Sequence, residues 1–298
     1  MSELGDINMR KIFNGIAMHP RAMNELKSSG FAVEETDING CEGAIVYVPP
    51  DSWIDAAETQ GLRAIACHAY SESFGMFAKE SGINMILVPS LWRTVAEHTL
   101  ALMMAAARNV VTADNDIRNG QWQNHETLKI RHSGMDFQGK TLGIIGLGKI
   151  GRELAGLMRG FNMNIIYYDH APMPQWEKEL GVSYCKLSEL LAASDYLALL
   201  LPLNDDTRGF LGAREINYIK PGCVFVNSAR GPIIQEDALI SALKSGQIAA
   251  AGLDVYWDEP LPMGHPLLDL PNTVLAPHLG GSTYDCDMVL VNGILKSL

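Results

Sequence analysis

The chain has 298 residues, 47% hydrophobic and 19% charged, which is long enough for two domains and apolar enough for a sizeable core. Its net charge of −11 argues against nucleic acid as a general partner, and an anionic ligand would need its own local cation. Cys41, Cys67, Cys185, Cys223 and Cys286 are scattered with no C-x-x-C pair, which speaks against a disulfide framework or a metal site and fits a reducing cytoplasm. The opening Met1-Ser-Glu-Leu-Gly-Asp6 has no basic stretch leading into an apolar core, so no signal peptide is expected. The longest apolar stretch, Thr99 to Ala107, is too short to cross a bilayer and runs into Arg108.

Taken in order, Lys11 to Ala17 is expected as a strand and His19 to Ser29 as a helix stopped by Gly30. Ala32-Val33 and Ala44 to Val48 are strand candidates, the second ended by Pro49-Pro50. Asp51 or Ser52 could cap a helix through Gln60. Leu62 to Cys67 and Asn84 to Val88 are further strands, so the first 90 residues form a small α/β unit without a glycine-triplet turn. Thr94-Val-Ala-Glu97 has the capping-box pattern and is expected to start a helix from Val95 to about Val111. That helix is apolar nearly all round, which predicts burial between domains or in a subunit contact. Asp114 to Asp136 is polar and is expected to be an extended connection; its Trp122, His125 and His132 more often cover an interface or lie on the surface than bind a ligand.

Thr141-Leu-Gly-Ile-Ile145 is an apolar run, followed by Gly146-x-Gly148-x-x-Gly151 and then by helical spacing through Met158. A second apolar run, Asn164 to Tyr168, ends in Asp169, 18 residues after Gly151. Strand, glycine turn, helix, strand and acid is the order a dinucleotide site needs. Gly146 permits the tight turn, Gly148 lets the backbone approach a pyrophosphate, and Gly151 lets helix pack on strand. The helix N-terminus offers unpaired N–H groups and partial positive charge to the phosphates. Asp169 would bond the ribose hydroxyls and repel a 2′-phosphate, which favours NAD over NADP. The competing explanation is a glycine turn that holds no ligand.

Beyond Asp169 the alternation continues, with helices expected over Trp176–Leu180, Leu187–Ala193, Gly212–Ile219 and Glu236–Lys244. The intervening strands are Asp195 to Leu201, Val224 to Ser228, Ile248 to Leu253 and Thr273 to Ala276. Ligands of doubly wound sheets sit beyond the carboxyl ends of strands. Arg230, Asp254, Glu259 and His278 all follow such ends. Reduction of a ketone needs a proton donor, for which histidine is the usual group near neutral pH; a carboxylate beside it stabilises its charged form. An arginine supplies planar, permanently charged donors for a substrate carboxylate and ketone. Taken singly, His278 fits a turn with a core histidine, Arg230 a strand-end arginine paired to a surface acid, and Glu259 one of several nearby acids. Jointly those readings are much weaker, because all three residues follow strands of one sheet.

Residues from about 94 to 285 resemble the NAD-dependent D-2-hydroxyacid dehydrogenases, the group that includes glycerate (hydroxypyruvate), phosphoglycerate and D-lactate dehydrogenases. The motifs that carry the resemblance are Val95-Ala-Glu97, the glycine triplet with Asp169, Leu201-Pro-Leu203 with Thr207, and Asn227-Ser-Ala-Arg230-Gly231. Gly252-Leu-Asp254-Val, Glu259-Pro, His265-Pro-Leu and Pro277-His278-Leu-Gly-Gly281 complete the set. The resemblance implies an α/β fold of two Rossmann-like doubly wound domains with an active-site cleft between them: residues 1–94 and 283–298 as the substrate domain, and residues 95–282 as the NAD-binding domain. It implies Arg230 as substrate clamp, Glu259 as tuner of the histidine and His278 as acid/base. Gly146, Gly148, Lys149, Ile150, Gly151 and Asp169 would meet pyrophosphate and ribose; Pro202 and Thr207 would flank the cofactor; Ser228, Ala229, Asp254 and Gly280 would lie near the nicotinamide. A small 2-oxo or 2-hydroxy acid of D configuration is the implied substrate, and a homodimer through the helix near 95–111 is implied too. The glycine triplet is placed too late for the L-lactate and malate dehydrogenases, and an acid at Glu259 favours ketone reduction over the formate dehydrogenases.

Two departures affect the substrate side. Where the family has a Gly-x-Gly turn, this chain reads Cys67-His-Ala-Tyr-Ser71-Glu-Ser-Phe-Gly75 and is shorter, so backbone donors would have to come from Ala69 or Ser71, with His68 and Tyr70 either facing substrate or starting a helix. Tyr284 to Leu298 is a compressed closing helix. An alternative of another class is an NAD(H)-responsive binding protein, like the corepressors that share this fold, with little turnover.

Overall fold

The computed structural model describes residues 9–54, 56–89, 91–122 and 125–298, so the stretch considered for a signal peptide lies outside the described residues. The chain divides into two compact units, one made of the residues up to Leu91 with Gly281–Leu298, the other of Trp92–Gly280. Each holds one parallel sheet.

In the first unit the strands are β1 (Lys11–Asn14), β2 (Ala32–Glu34), β3 (Gly43–Val46), β4 (Ala64–Cys67) and β5 (Asn84–Leu87), in the order β2-β1-β3-β4-β5. Helix α1 (Pro20–Ser28) follows β1 and α2 (Glu72–Glu80) follows β4. The Ser71 hydroxyl caps α2 by accepting the Phe74 N–H at 3.0 Å. No helix spans 51–60. Two short 3₁₀ turns, Asp51–Trp53 and Ala57–Thr59, stand there instead, because Ile54 and Ala56 are extended and the Asp51 carboxylate is taken by the Ser71 and Ser73 hydroxyls rather than by a helix N-terminus.

The second unit opens with α3 (Leu91–Ala107), α4 (Val110–Arg118) and α5 (His125–Arg131). Helix α3 begins three residues before Thr94, the first residue of the predicted capping box, and within it Glu97 pairs with Arg93 one turn earlier at 2.9 Å. It ends at Ala107, where Asn109 turns left-handed at φ 52° and starts α4. Residues 114–118 and 125–131 of the polar stretch 114–136 are therefore helical, with His132 and Arg131 both on Asp116, at 2.9 and 3.0 Å. The strands that follow are β6 (Thr141–Ile145), β7 (Asn164–Tyr168), β8 (Ser183–Tyr184), β9 (Tyr196–Leu199), β10 (Cys223–Asn227), β11 (Ile248–Leu253) and β12 (Thr273–Leu275). They alternate with α6 (Lys149–Met158), α7 (Pro174–Leu180), α8 (Leu187–Ala193), α9 (Ala213–Ile216) and α10 (Glu236–Ser245). The chain closes with α11 (Tyr284–Ser297), which belongs to the first unit and buries Leu290, Val291 and Ile294 against β3, β4 and β5.

The order in the second sheet is β12-β11-β10-β9-β6-β7-β8, so the direction of winding reverses between β6 and β9. Residues on β9 alternate faces: Tyr196 and Ala198 pack with Leu142, Ile144 and the Leu154 face of α6, whereas Leu197 and Leu199 pack with Leu190 of α8 and Leu239 of α10. Both faces are dry, which explains the unbroken apolar run in sequence.

At the edge of the first unit Glu42 accepts from Arg10 through Nε and Nη2 and from Arg63 through Nη1, each at 2.9 Å. Hydrogen bonding to Arg10 first, and then to Arg63, pulls the Glu42 carboxyl down to about 2. A depressed carboxyl gives stability that is complete above the ordinary carboxylate range and is lost as pH falls toward 2. Urea unfolding of Glu42→Gln should show a lower midpoint than the parent at pH 7, and the gap should shrink as pH falls from about 4.5 toward 2.

Candidate active site

The reversal between β6 and β9 opens a crevice at the carboxyl ends of the strands, and the glycine turn lies there. Gly146 has φ +102°, and a Cβ on it would meet the Leu200 backbone at 2.9 Å. A Cβ on Gly151 would stand 2.3 Å from the Gly146 carbonyl oxygen, so α6 packs on β6 only through glycine. Gly148, the N-cap of α6, makes no side-chain cap bond, and a Cβ there would meet nothing within 4 Å. Crowding behind the turn and open space in front of it fit a pyrophosphate against the helix N-terminus.

Asp169 follows β7 and is 8% exposed. Its Oδ2 accepts the Leu147 N–H at 2.8 Å, which ties the acid to the glycine turn, and its Oδ1 lies 2.6 Å from His170 Nδ1. His170 had no signal in the sequence beyond its position after the acid. The Lys149 ammonium lies 4.4 Å from the centre of the Trp92 ring, a cation–π contact that occupies the first-turn lysine. Thr207 Oγ1 donates to the Pro202 carbonyl at 2.6 Å and accepts the Asn204 N–H at 2.9 Å, which closes the loop after β9 on itself.

Past β10, Asn227 Oδ1 accepts the Ala229 N–H at 2.9 Å and its Nδ2 donates to the Arg230 carbonyl at 3.1 Å. That small loop leaves Arg230 exposed, with Nη1 donating to the Ala229 carbonyl at 2.6 Å. Ser228 is 6% exposed, and its Oγ has no hydrogen-bond partner in the protein, a polar atom a ligand amide could satisfy. Past β12, His278 lies in the left-handed region at φ 55°. Its Nδ1 is 2.6 Å from Glu259 Oε2, while Glu259 Oε1 accepts the Tyr256 N–H at 3.0 Å. Glu259 and His278 line one wall of a pocket of about 490 Å³ whose other walls include Leu261, Leu268 and Leu275. Arg230, Asp254 and His278 thus follow three neighbouring strands of one sheet.

On the first unit, the altered segment after β4 is occupied differently from expectation. The Ala69 N–H already donates to the Tyr47 carbonyl at 3.3 Å, so it is not a spare donor; the Ser71 hydroxyl caps α2 by accepting the Phe74 N–H, a bond that does not engage the Ser71 backbone N–H. His68 packs edge-on against Tyr47, its Nε2 is buried with no partner, and burial lowers its pKa against the opposing pull of Asp287. Tyr70 is 41% exposed and covers Gly75.

The family model for the D-isomer specific 2-hydroxyacid dehydrogenase NAD-binding domain matches residues 100–280. The chain belongs to that family. It is accordingly an NAD-dependent oxidoreductase. A glyoxylate reductase of Korarchaeum cryptofilum is 42% identical to this dehydrogenase over 242 residues, 80% of this chain and 72% of that protein. A glyoxylate/hydroxypyruvate reductase B of Citrobacter koseri is 42% identical over 196 residues, 65% of this chain and 60% of that protein. Among solved structures, a glyoxylate reductase from Paecilomyes thermophila superposes with a TM-score of 0.72 at 31% identity, covering 97% of this chain and 94% of that one. Among the described residues of the dehydrogenase, no group of three His, Cys, Asp or Glu is arranged to hold a metal ion. Because a Cβ at 151 would strike the Gly146 carbonyl, Gly151→Val should move the turn and weaken NADH binding by the cost of an overpacked core, about 1–3 kcal/mol, read by tryptophan-quench titration.

Proposed function

We infer that this dehydrogenase reduces small 2-oxo acids of the glyoxylate and hydroxypyruvate kind with NADH and oxidises the matching D-2-hydroxy acids in reverse. The observation that carries the reading is the 2.6 Å contact between the Glu259 carboxylate and His278 Nδ1, on the same sheet edge as an exposed arginine. Bound NADH supplies the hydride to the ketone carbon. The Arg230 guanidinium, charged at any working pH, holds the substrate carboxylate and polarises the ketone oxygen. In a chain of net charge −11 that local cation is what makes an anionic substrate acceptable. With Nδ1 engaged by Glu259, Nε2 of His278 is the nitrogen that gives a proton to the forming alkoxide, and takes it back in oxidation. Glu259 stabilises the imidazolium and fixes the ring plane.

The glycine turn, Lys149, Ile150 and Asp169 are assigned to the pyrophosphate and ribose, Pro202 and Thr207 to the cofactor's flank, and Ser228, Ala229, Asp254 and Gly280 to the nicotinamide end. Residues 1–94 and 283–298 are assigned as the substrate domain and residues 95–282 as the NAD domain. The relatives' names are those of reductases, so a purely nicotinamide-responsive binding role is not favoured. Met104, Val110, Val111 and Ile117 leave 41–54% of their apolar surface exposed along α3 and α4, which supports a second copy of the chain as the partner there. A cytoplasmic setting agrees with five free cysteines, and no helix among the described residues is long and apolar enough to cross a membrane.

Purified protein should consume NADH with hydroxypyruvate or glyoxylate. His278→Ala should lose about 10²–10⁴-fold in kcat while its NADH affinity stays close to the parent's; unchanged turnover would remove the histidine from the mechanism. Val110→Glu, which places a charge on the exposed face of α4, should convert a dimer to a monomer in light scattering without loss of secondary structure.

A further inference from the structure

Three donors converge on one buried carboxylate at the end of β11. Asp254 is 1% exposed. Its Oδ1 accepts the Leu279 N–H at 2.7 Å and stands 3.0 Å from His98 Nε2, and its Oδ2 accepts the Gly280 N–H at 2.9 Å. The Asp254 carbonyl also accepts the His278 N–H at 2.9 Å. Asp254 therefore binds the backbone of His278 and of both residues after it. His278 needs that support, because at φ 55° it occupies a region that a residue with a Cβ enters only at a cost. The turn has no other rigid wall in sequence, since it is followed at once by Gly280-Gly281.

Two amide donors do not by themselves fix a carboxylate, whose terminal torsion is soft. The third donor comes from α3, a helix of 17 residues packed on the sheet through Leu102, Met103 and Ala106. Val95, one turn before His98 on α3, stands 3.5 Å from where a Cβ on Gly280 would be, so the same face of the helix backs the turn. A buried carboxylate is tolerated only when its charge is met by hydrogen bonds, and the His98 imidazole supplies the one bond that is neither part of the turn nor of the strand.

We propose that His98 is a positioning residue for the reaction: through Asp254 it sets the left-handed turn at His278 and hence the aim of the proton-carrying imidazole. The inference rests on the reading of His278 as the acid/base group. His98 exchanges no proton with substrate in this role. Its importance lies in geometry, where a displacement of about 1 Å can cost a reaction roughly 100-fold.

The test compares the full chain with His98→Leu, which removes the donor, and His98→Gln, whose side-chain amide can replace Nε2. With NADH and hydroxypyruvate, assayed well below the melting temperature of each variant, His98→Leu should lower kcat by about 10- to 100-fold with its far-UV spectrum close to the parent's, and His98→Gln should recover most of the rate. In ¹³C-histidine spectra, the His278 Cε1–H cross-peak, assigned by its loss in His278→Gln, should move in His98→Leu and return in His98→Gln. An unchanged kcat in His98→Leu overturns the proposal. So does a loss that glutamine does not relieve, or that leaves the His278 cross-peak in place. If the parent protein turns over no 2-oxo acid, the functional reading falls while the cross-peak still decides whether His98 sets the His278 turn.

Discussion

Every strand pairing in the two sheets is parallel, and from that constraint most of the molecule follows. A parallel pair cannot be joined by a hairpin, so each connection crosses over, and crossovers put helices on both faces of the sheet. Both faces then become dry, as the alternation of β9 between two apolar clusters illustrates. Polar chemistry is left with the strand ends. Four of the buried polar residues of the second unit, Asp169, Asn227, Ser228 and Asp254, end a strand or follow one directly, whereas Thr99 lies within α3 and Ser194 and Asp195 precede β9. The acid, amide, hydroxyl and imidazole groups of the site are therefore gathered by topology before any of them makes a specific bond.

The sequence was legible where one local rule acted without competition. The continuous run at β9, the glycine triplet and the acid after β7 each left a pattern that no neighbour overrode, and β7, β11 and α8 lie at the residues expected. It was less legible where two rules met. Thr94 and Glu97 carry a capping-box pattern, but the helix already runs from Leu91, so both lie inside it and Glu97 pairs with Arg93. Asp51 is a good cap in isolation, yet two serines from α2, twenty and more residues later, bind its carboxylate. Parts of the polar stretch 114–136 fold as helix, and Asp116 of α4 meets Arg131 at the end of α5 and His132 just after it, a pairing that spacing alone does not reveal. Within the site, the resemblance already paired Glu259 with His278, and the two are in contact; nothing in the sequence marked the second pair, Asp254 with His98. His98 lies on α3, 156 residues before Asp254, so only the packing of that helix on the sheet brings the two together.

That division between two carboxylates has a physical logic. Among the described residues Glu259 accepts the Tyr256 N–H besides touching the imidazole, and it remains partly exposed, so its charge is available to the ring it touches. Asp254 is almost fully buried and accepts from two amides and stands against His98, so its charge is met largely within the fold and its effect on His278 is one of shape. A non-glycine residue in the left-handed region costs on the order of 1–3 kcal/mol. Such strain persists only where the surroundings over-determine it, and the four bonds made by Asp254 at this turn do so. Relaxing the turn would swing the His278 side chain away from Glu259 Oε2, to which the imidazole is held at 2.6 Å. The same turn in a chain with glycine at 278 would be free of strain and would carry no imidazole. The strained backbone is thus what it takes to place a proton carrier at the end of β12 and keep it against its carboxylate.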